Sequence, residues 1–485
     1  MILIYLSSGL FLGWSLGAND ASNIFGTAVG TKMVRFKTAA IIASIFVIIG
    51  AVLSGTGASH TLGTLGSVNA LGGAFMVALA AGMSVFWMTK MQIPVSTSQA
   101  IVGAIIGWNF FANMLTNYNS LIKIVFSWVI SPVLAAIFSM LLYIFVKKLL
   151  QYLSISIFRL DIFTRAGLII VGAFGAYSLG ANNIANVMGV FIPSSPFHTI
   201  NLGFIRIGNT EILFFLGGIA IAVGIFTYSH KVMKTVGNQL VKLTPQSALI
   251  VVLAESLVLF LFASQTVHQW LVAHNLPAFP LVPISSSQLV VGGVIGIGLI
   301  QGGQHIKYRI VGKIITGWVT TPVLACLLTF ISLFFLQNIF EMEVYHPVDY
   351  QFNPAVTKKL ESKGIKIPQS ADRLHFRNSR QVKQFVDTCN QISSDSIHTL
   401  LEYSRQDSIY IDPHKFPHFK DEVADWFKPG EIKALLKLKN NRYTYKWRLR
   451  EEYLKSLNIS SQNTESSHLG SKLDYIYQYF SLKEY

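Results

Sequence analysis

The sequence predicts an all-α polytopic membrane protein: two inverted-topology repeats of about five spans each, with broken or re-entrant helices and about ten to twelve crossings, followed by a C-terminal soluble α-rich domain. Three observations carry this fold class. The first 340 residues are a series of long apolar stretches, acidic residues are nearly excluded from them, and several polar motifs occur twice in the same order.

Of 485 residues, 52% are hydrophobic and only 13% charged, which is too apolar for an ordinary soluble chain. Before residue 341 the only acids are Asp20, Asp161, Glu211 and Glu255, and the other 19 acidic residues follow. The net charge of +15 therefore resides mostly in short loops of the apolar part, where it acts as a topology signal and not as a nucleic-acid-binding surface. Two cysteines, Cys326 and Cys389, make neither a disulfide framework nor a metal cluster. The chain starts apolar, with no basic region and no cleavage site over Met1 to Leu16, which predicts a retained first span.

A bilayer crossing needs roughly 17–25 apolar residues. Ten stretches qualify, at about 2–18, 38–56, 70–89, 94–112, 122–146, 164–181, 209–229, 246–264, 284–302 and 312–338. Lys32, Arg35 and Lys37, Lys90, Lys147 and Lys148, Lys231 and Lys234, and Lys307 and Arg309 mark one side, while the intervening loops are almost free of Lys and Arg. This places the N-terminus outside, and five crossings per repeat invert the second half and leave the tenth span ending outside.

The repeat is legible residue by residue. Gly17-Ala18-Asn19-Asp20-Ala21-Ser22-Asn23 is answered by Gly180-Ala181-Asn182-Asn183-Ile184-Ala185-Asn186. Pro94-Val95-Ser96-Thr97-Ser98-Gln99 is answered by Pro283-Ile284-Ser285-Ser286-Ser287-Gln288, and Ser127-Trp128 through Pro132 by Gly317-Trp318 through Pro322. The expected architecture is one in which such polar motifs interrupt spans and meet near mid-membrane at the repeat interface.

A proline in the first turn with hydroxyls at the cap suits a helix N-terminus, which offers unpaired N–H groups and positive dipole to an anion. Ser96, Thr97, Ser98, Ser285, Ser286 and Ser287 are therefore candidate oxyanion donors; the plain alternative is hydroxyl-mediated helix packing. The Asn motifs end apolar stretches and supply carboxylate and amide oxygens, which suit a hard cation, while a carboxylate alone carries H⁺. The alternative there is a helix C-cap followed by an N-cap. Glu255 is a second deep acid, with a neutral buried carboxyl as its alternative. Glu211 and Asp161 read as boundary charges, and Trp128 and Trp318 as interface anchors or kink supports.

With these residues in view, the chain resembles the inorganic phosphate transporter (PiT) family over about 1–338. Gly-Ala-Asn-Asp at 17–20, its copy at 180–183, the two Ser-rich heptads, Thr235-Val236-Gly237, and Leu243-Thr244-Pro245 leading to Glu255 carry the resemblance. It implies cation-driven symport of phosphate by an inverted-repeat carrier. The implied substrate set is Asn19, Asn182, Ser96, Thr97, Ser98, Gln99, Ser285, Ser286, Ser287 and Gln288. The implied coupling-cation set is Asp20, Asn23, Asn183, Asn186 and Glu255, with Na⁺ or H⁺ as the ion and no other cofactor. Three departures from the family pattern stand out: Asn183 where Asp is usual, Gln99 and Gln288 where His is usual, and Val47 where Glu is common. The tail after Phe340 lies outside the resemblance.

The expected organisation is repeat 1 over 1–149, a linker at 150–163, repeat 2 over 164–340 and a soluble domain over 341–485, with a disordered stretch near Asn458 to Ser471. The expected setting is multi-pass in the cell (inner) membrane, with inorganic phosphate, the lipid bilayer and a second copy of the chain as partners and no nucleic acid. Sulfate or another oxyanion is the rival cargo. A membrane receptor or scaffold working through the tail is the rival class, and no nucleophile–base or metal set points to an enzyme.

Overall fold

Small residues spaced along apolar stretches dictate helices that pack backbone to backbone, and that is what the computed structural model contains. It describes residues 2–66, 68–91, 95–153, 156–195, 197, 200–201, 206–230, 233, 244–302, 308–368, 373–389, 396–423, 427–458 and 467–481. Pro94, Lys231, Lys234, Thr235-Val236-Gly237, Leu243 and Lys307 lie outside the described residues. Two compact units are present, residues 1–200 with 206–346, and residues 201–205 with 347–485.

The first unit contains α1 (Ile2–Gly30), α2 (Phe36–Ser54), α3 (Thr56–Leu65), α4 (Leu71–Lys90), α5 (Thr97–Phe111), α6 (Tyr118–Leu153), α7 (Ile157–Met188), α8 (Asn209–Thr227), α9 (Pro245–Ala263), α10 (Gln265–Ala273), α11 (Ser286–Ile300) and α12 (Tyr308–Asn338). Among the described residues seven helices are long and apolar enough to cross a membrane: α1, α2, α4, α6, α8, α9 and the part of α12 from Ile314. The candidate stretch 164–181 lies within the longer α7. The candidate stretches 94–112 and 284–302 are shorter helices than expected: α5 and α11 have 15 residues each. At 1.5 Å per residue each is about 22 Å long, short of the roughly 30 Å hydrocarbon core. In the expected linker, 150–153 close α6 and 157–163 open α7, both helical.

The structure corrects one expectation outright. The Asn motifs do not end helices: α1 runs unbroken through 17–23 and α7 through 180–186. Side chains of Asn19, Asp20, Asn182, Asn183 and Asn186 are buried within continuous helices, so their oxygens and amides are presented laterally to neighbouring helices and not at a chain break. Propensity alone favours caps for these residues, and tertiary packing overrides it.

Glycines explain the close packing. A Cβ on Gly17 would lie 2.0 Å from Ile221 O, and one on Gly180 would lie 2.1 Å from Val47 O. Gly50 meets Tyr177 O at 2.0 Å and Gly224 meets Trp14 O at 2.1 Å. Gly103 and Gly292 meet Pro322 O and Pro132 O at 2.1 Å each, with Gly107 and Gly296 meeting Cys326 O and Ala136 O at 2.4 Å one turn on. Every contact has a counterpart with the roles of the two halves exchanged: α1 packs on α8 as α7 packs on α2, and α5 on α12 as α11 on α6. Pro132 and Pro322 sit inside α6 and α12, where each removes a ladder N–H. After α12 the chain returns to the start of α4: Trp108 Nε1 donates to Val344 O at 3.0 Å, and Asn69 Nδ2 donates to His346 O at 2.7 Å.

The second unit has its own core, with Ile409, Phe419, Leu435, Leu449, Tyr453, Ile476 and Phe480 buried. Its helices are α13 (Pro354–Glu361), α14 (Ser379–Cys389), α15 (Ile397–Ser404), α16 (Phe416–Val423), α17 (Pro429–Leu436), α18 (Lys446–Ser456) and α19 (Ser467–Phe480). Two-residue strands pair antiparallel, Tyr350–Gln351 with His375–Phe376 and Ile409–Tyr410 with Arg442–Tyr443. Lys472 Nζ lies 2.6 Å from Glu431 Oε2, with both side chains under 15% exposed, so the pair joins α19 to α17. The Ser/Asn stretch is corrected in part: Ser467 to Ser471 are helical, because α19 buries Leu473 and Ile476, and 459–466 lie outside the described residues.

Candidate functional site

Each Ser-rich heptad starts a helix. Ser96 caps α5 by accepting from Gln99 N at 3.3 Å, and Ser285 caps α11 by accepting from Gln288 N at 3.4 Å. The hydroxyl cap is as expected, but the proline is not in the first turn. Pro283 stands two residues before its cap, in non-helical chain that runs from 276 to 285. Non-helical backbone at membrane depth must have its polar groups met within the protein. Polar side chains from the opposite half meet them.

Ser98 Oγ donates to Ile284 O at 3.0 Å, and Ser287 Oγ donates to Val95 O at 3.0 Å. The two bonds are counterparts, so the starts of α5 and α11 meet head to head and present two positive helix ends to one place. Asn182 adds a two-point clamp: its Nδ2 donates to Ile284 O at 2.8 Å and its Oδ1 accepts from Ile284 N at 3.2 Å. Asn186 Nδ2 donates to Ser98 Oγ at 2.8 Å and to Asn183 Oδ1 at 2.9 Å. On the other flank Asn23 Nδ2 donates to Ser286 Oγ at 3.0 Å, and Asn19 Nδ2 donates to Asp20 Oδ1 at 2.8 Å. Ser286 also lies within hydrogen-bonding reach of the Asp20 carboxylate, and Glu255 is in electrostatic range of Asp20.

The structure thus brings fourteen of the fifteen sequence-predicted positions into one continuous polar set through these bonds and through chain adjacency, with Glu255 joining through its proximity to Asp20. All are buried. Not every expected donor is free. Ser98 and Ser287 spend their protons on backbone carbonyls. Ser285 and Ser287 oxygens lie 3.0 Å apart, so Ser285 must be the donor of that pair. Thr97 Oγ1 has no protein partner.

Other buried polar atoms in the set also lack a hydrogen-bond partner: Gln99 Oε1, Gln288 Oε1, Asn183 Nδ2, Asn186 Oδ1 and both oxygens of Glu255. An unmet buried donor or acceptor costs about 1–3 kcal/mol, and native interiors contain few. Their concentration around two converging helix starts makes this the candidate functional site. The flanks differ in chemistry: Asp20 and Glu255 make one side carboxylate-rich, whereas Asn182, Asn183 and Asn186 make the other a set of neutral amides. The arrangement suits a tetrahedral anion at the helix starts and a cation beside Asp20. Two participants escaped sequence reasoning, Val95 and Ile284, which act through main-chain atoms; their signal is position, two residues before the second hydroxyl of each run and directly after proline.

The sequence profile of the Phosphate transporter family matches residues 16–329 and 270–385. The second stretch corrects the expectation that the resemblance ends at 340, since it continues 45 residues into the tail. A relative from Methanocaldococcus jannaschii is 28% identical over 337 residues, covering 68% of this chain and 98% of its own length. One from Haemophilus influenzae is 27% identical over 420 residues, covering 68% of this chain and 96% of its own. Both carry the name "Putative phosphate permease". A solved structure titled "The sodium-dependent phosphate transporter" has the same fold at TM-score 0.56 and 23% identity, covering 70% of this chain and 99% of that one. Its apolar helices and its match to this profile make the chain a multi-pass membrane protein of the phosphate transporter family.

Proposed function

We propose that this protein is a secondary active symporter of inorganic phosphate, driven by Na⁺ or H⁺ and working by alternating access between two inverted-topology repeats, 1–149 and 164–340, joined by 150–163. Residues 341–485 form a soluble α-rich domain, and the membrane is the cell (inner) membrane. The observation that carries the reading is the reciprocal crossing of the two heptads, Ser98 to Ile284 and Ser287 to Val95. The exchanged glycine contacts support the repeat symmetry, and the names of the relatives and of the structural neighbour support phosphate as cargo and Na⁺ as one coupling ion.

In this mechanism the anion lies between the starts of α5 and α11, where Ser96, Thr97 and first-turn N–H groups face it, with Ser285 and Ser286 opposite. Helix ends and neutral donors stabilise the charge without a permanent cation, which favours release as well as capture. The coupling ion neutralises Asp20 with Asn23, Asn183, Asn186 and Glu255 as further partners, and its charge offsets that of phosphate in a low-dielectric site. Coupling free energy is reciprocal, so each ligand raises the affinity for the other. One repeat rocks against the other about the heptad crossing.

Uptake of radiolabelled phosphate into proteoliposomes, with Na⁺ and pH gradients imposed separately, tests this. At least one gradient should drive accumulation above equilibrium. Equal uptake with neither gradient would refute symport, and equal competition by sulfate would reassign the cargo.

A further inference from the structure

Two indoles have no place in the site described above. Trp128 Nε1 in α6 and Trp318 Nε1 in α12 are buried with no hydrogen-bond partner, and so are the amide oxygens of Gln288 and Gln99. Helix register sorts these four atoms into two pairs. Gly292 meets the carbonyl of Pro132, and Gly296, one turn later, meets that of Ala136, so α11 and α6 run parallel in a fixed register. One turn earlier on each helix stand Gln288 and Trp128. Gly103 with Pro322 and Gly107 with Cys326 set the same register for α5 and α12, and one turn earlier stand Gln99 and Trp318. Residues four apart share a helix face, so each indole is level with the glutamine of the heptad its helix packs against. Each level therefore holds one buried donor and one buried acceptor, and the pattern occurs twice.

An indole N–H can only donate, and a carboxamide oxygen can only accept. We propose that the Trp128–Gln288 and Trp318–Gln99 pairs read the protonation of the transported anion. The indoles donate to any oxyanion oxygen. The glutamine oxygens accept only from an oxygen that carries hydrogen, so the site takes a tetrahedral oxyanion with at least one O–H, such as phosphate or arsenate, and rejects sulfate, whose oxygens are all acceptors at neutral pH. A site built to pair with a substrate O–H rejects the analogue lacking it far more strongly than shape does, because acceptor then faces acceptor in a dry site. Glutamine does not titrate, so this discrimination holds constant between pH 6 and 8. The inference rests on the transport reading above and adds the residues that select the cargo.

The test uses the full chain in proteoliposomes, with competitors matched in shape and different in hydrogen. Arsenate should inhibit phosphate uptake, while sulfate and monofluorophosphate, which has no O–H, should inhibit roughly tenfold to a hundredfold less. Gln99→Met and Gln288→Met, singly and together, keep side-chain length and remove the acceptor, and should bring monofluorophosphate close to arsenate. Trp128→Phe and Trp318→Phe keep a ring and remove the donor, and should raise KM for phosphate with the competitor ratio unchanged. Equal inhibition of the unmodified protein by arsenate and monofluorophosphate overturns the inference without any variant. So does an unchanged ratio in folded glutamine variants. Absence of phosphate uptake in the unmodified protein overturns the transport reading itself.

Discussion

Asn182 and Ile284 are joined by two hydrogen bonds, amide to carbonyl at 2.8 Å and main-chain N–H to amide oxygen at 3.2 Å. One side chain thus satisfies both polar groups of a residue in unwound chain. Asn19, which stands at the matching place in the first half, instead turns to Asp20. The two halves share a plan and differ at this point. Asn182→Ala leaves the Ile284 N–H without a partner and its carbonyl with Ser98 alone, which should cost about 1–3 kcal/mol of stability and abolish uptake. Thermal unfolding in detergent alongside uptake checks this, and a wild-type melting curve with full transport would show that the clamp is idle.

Gly180 should tolerate no side chain. A Cβ there would sit 2.1 Å from Val47 O, against backbone that has nowhere to move, whereas Gly30 has open space around it. Gly180→Ala is expected to lose about 1–3 kcal/mol, the usual cost of overpacking, and Gly30→Ala to stay near wild type. Equal melting temperatures for the two variants would contradict the packing assigned here to α7 and α2.

Asp20 carries the carboxylate flank with Glu255. Asp20→Asn preserves the shape and the bond from Asn19 but removes the charge, so cation-dependent uptake should fall to background while the protein still folds. Asn183→Asp places a carboxylate in the otherwise neutral amide flank and should change the dependence of uptake on Na⁺ and pH. Identical cation profiles for wild type and Asn183→Asp would show that the charge difference between the flanks has no bearing on coupling.

Tyr443 in the tail unit gives a prediction in pH. Burial, and then its hydrogen bond to Glu452, push the phenol up to about 12. An unfolded tyrosine ionises near 10. Because the folded-state value is raised, the stabilisation is fully present below about pH 10 and is lost as pH rises toward 12, where the fold resists deprotonation that the unfolded chain permits. Tyrosinate absorbance of the intact protein and of Tyr443→Phe should therefore coincide up to about pH 11. A wild-type excess of one ionised tyrosine below that pH would count against the assignment.

Much of the fold was legible because its signals are local. Apolar length, the scarcity of acids before residue 341 and the doubled motifs are properties of the string of residues, and they point to a helical membrane protein. The hydroxyl caps at Ser96 and Ser285 were legible for the same reason, since a cap bonds within its own first turn. The family followed from the same residues.

The tertiary structure decided the rest. Helix propensity suggested breaks at 17–23 and 180–186, yet α1 and α7 continue through them, because neighbouring helices supply partners for the asparagines that local chain does not. The crossing of Ser98 with Ile284 and of Ser287 with Val95 joins residues more than 180 positions apart. No periodicity encodes which carbonyl a serine will reach at that distance. Which polar atoms stay unpaired, Thr97, Gln99, Gln288 and the two indoles among them, is set by the same long-range packing. By itself the sequence determined which residues could bind an anion and a cation. Packing determined which of their hydrogen-bonding atoms remain available to do so.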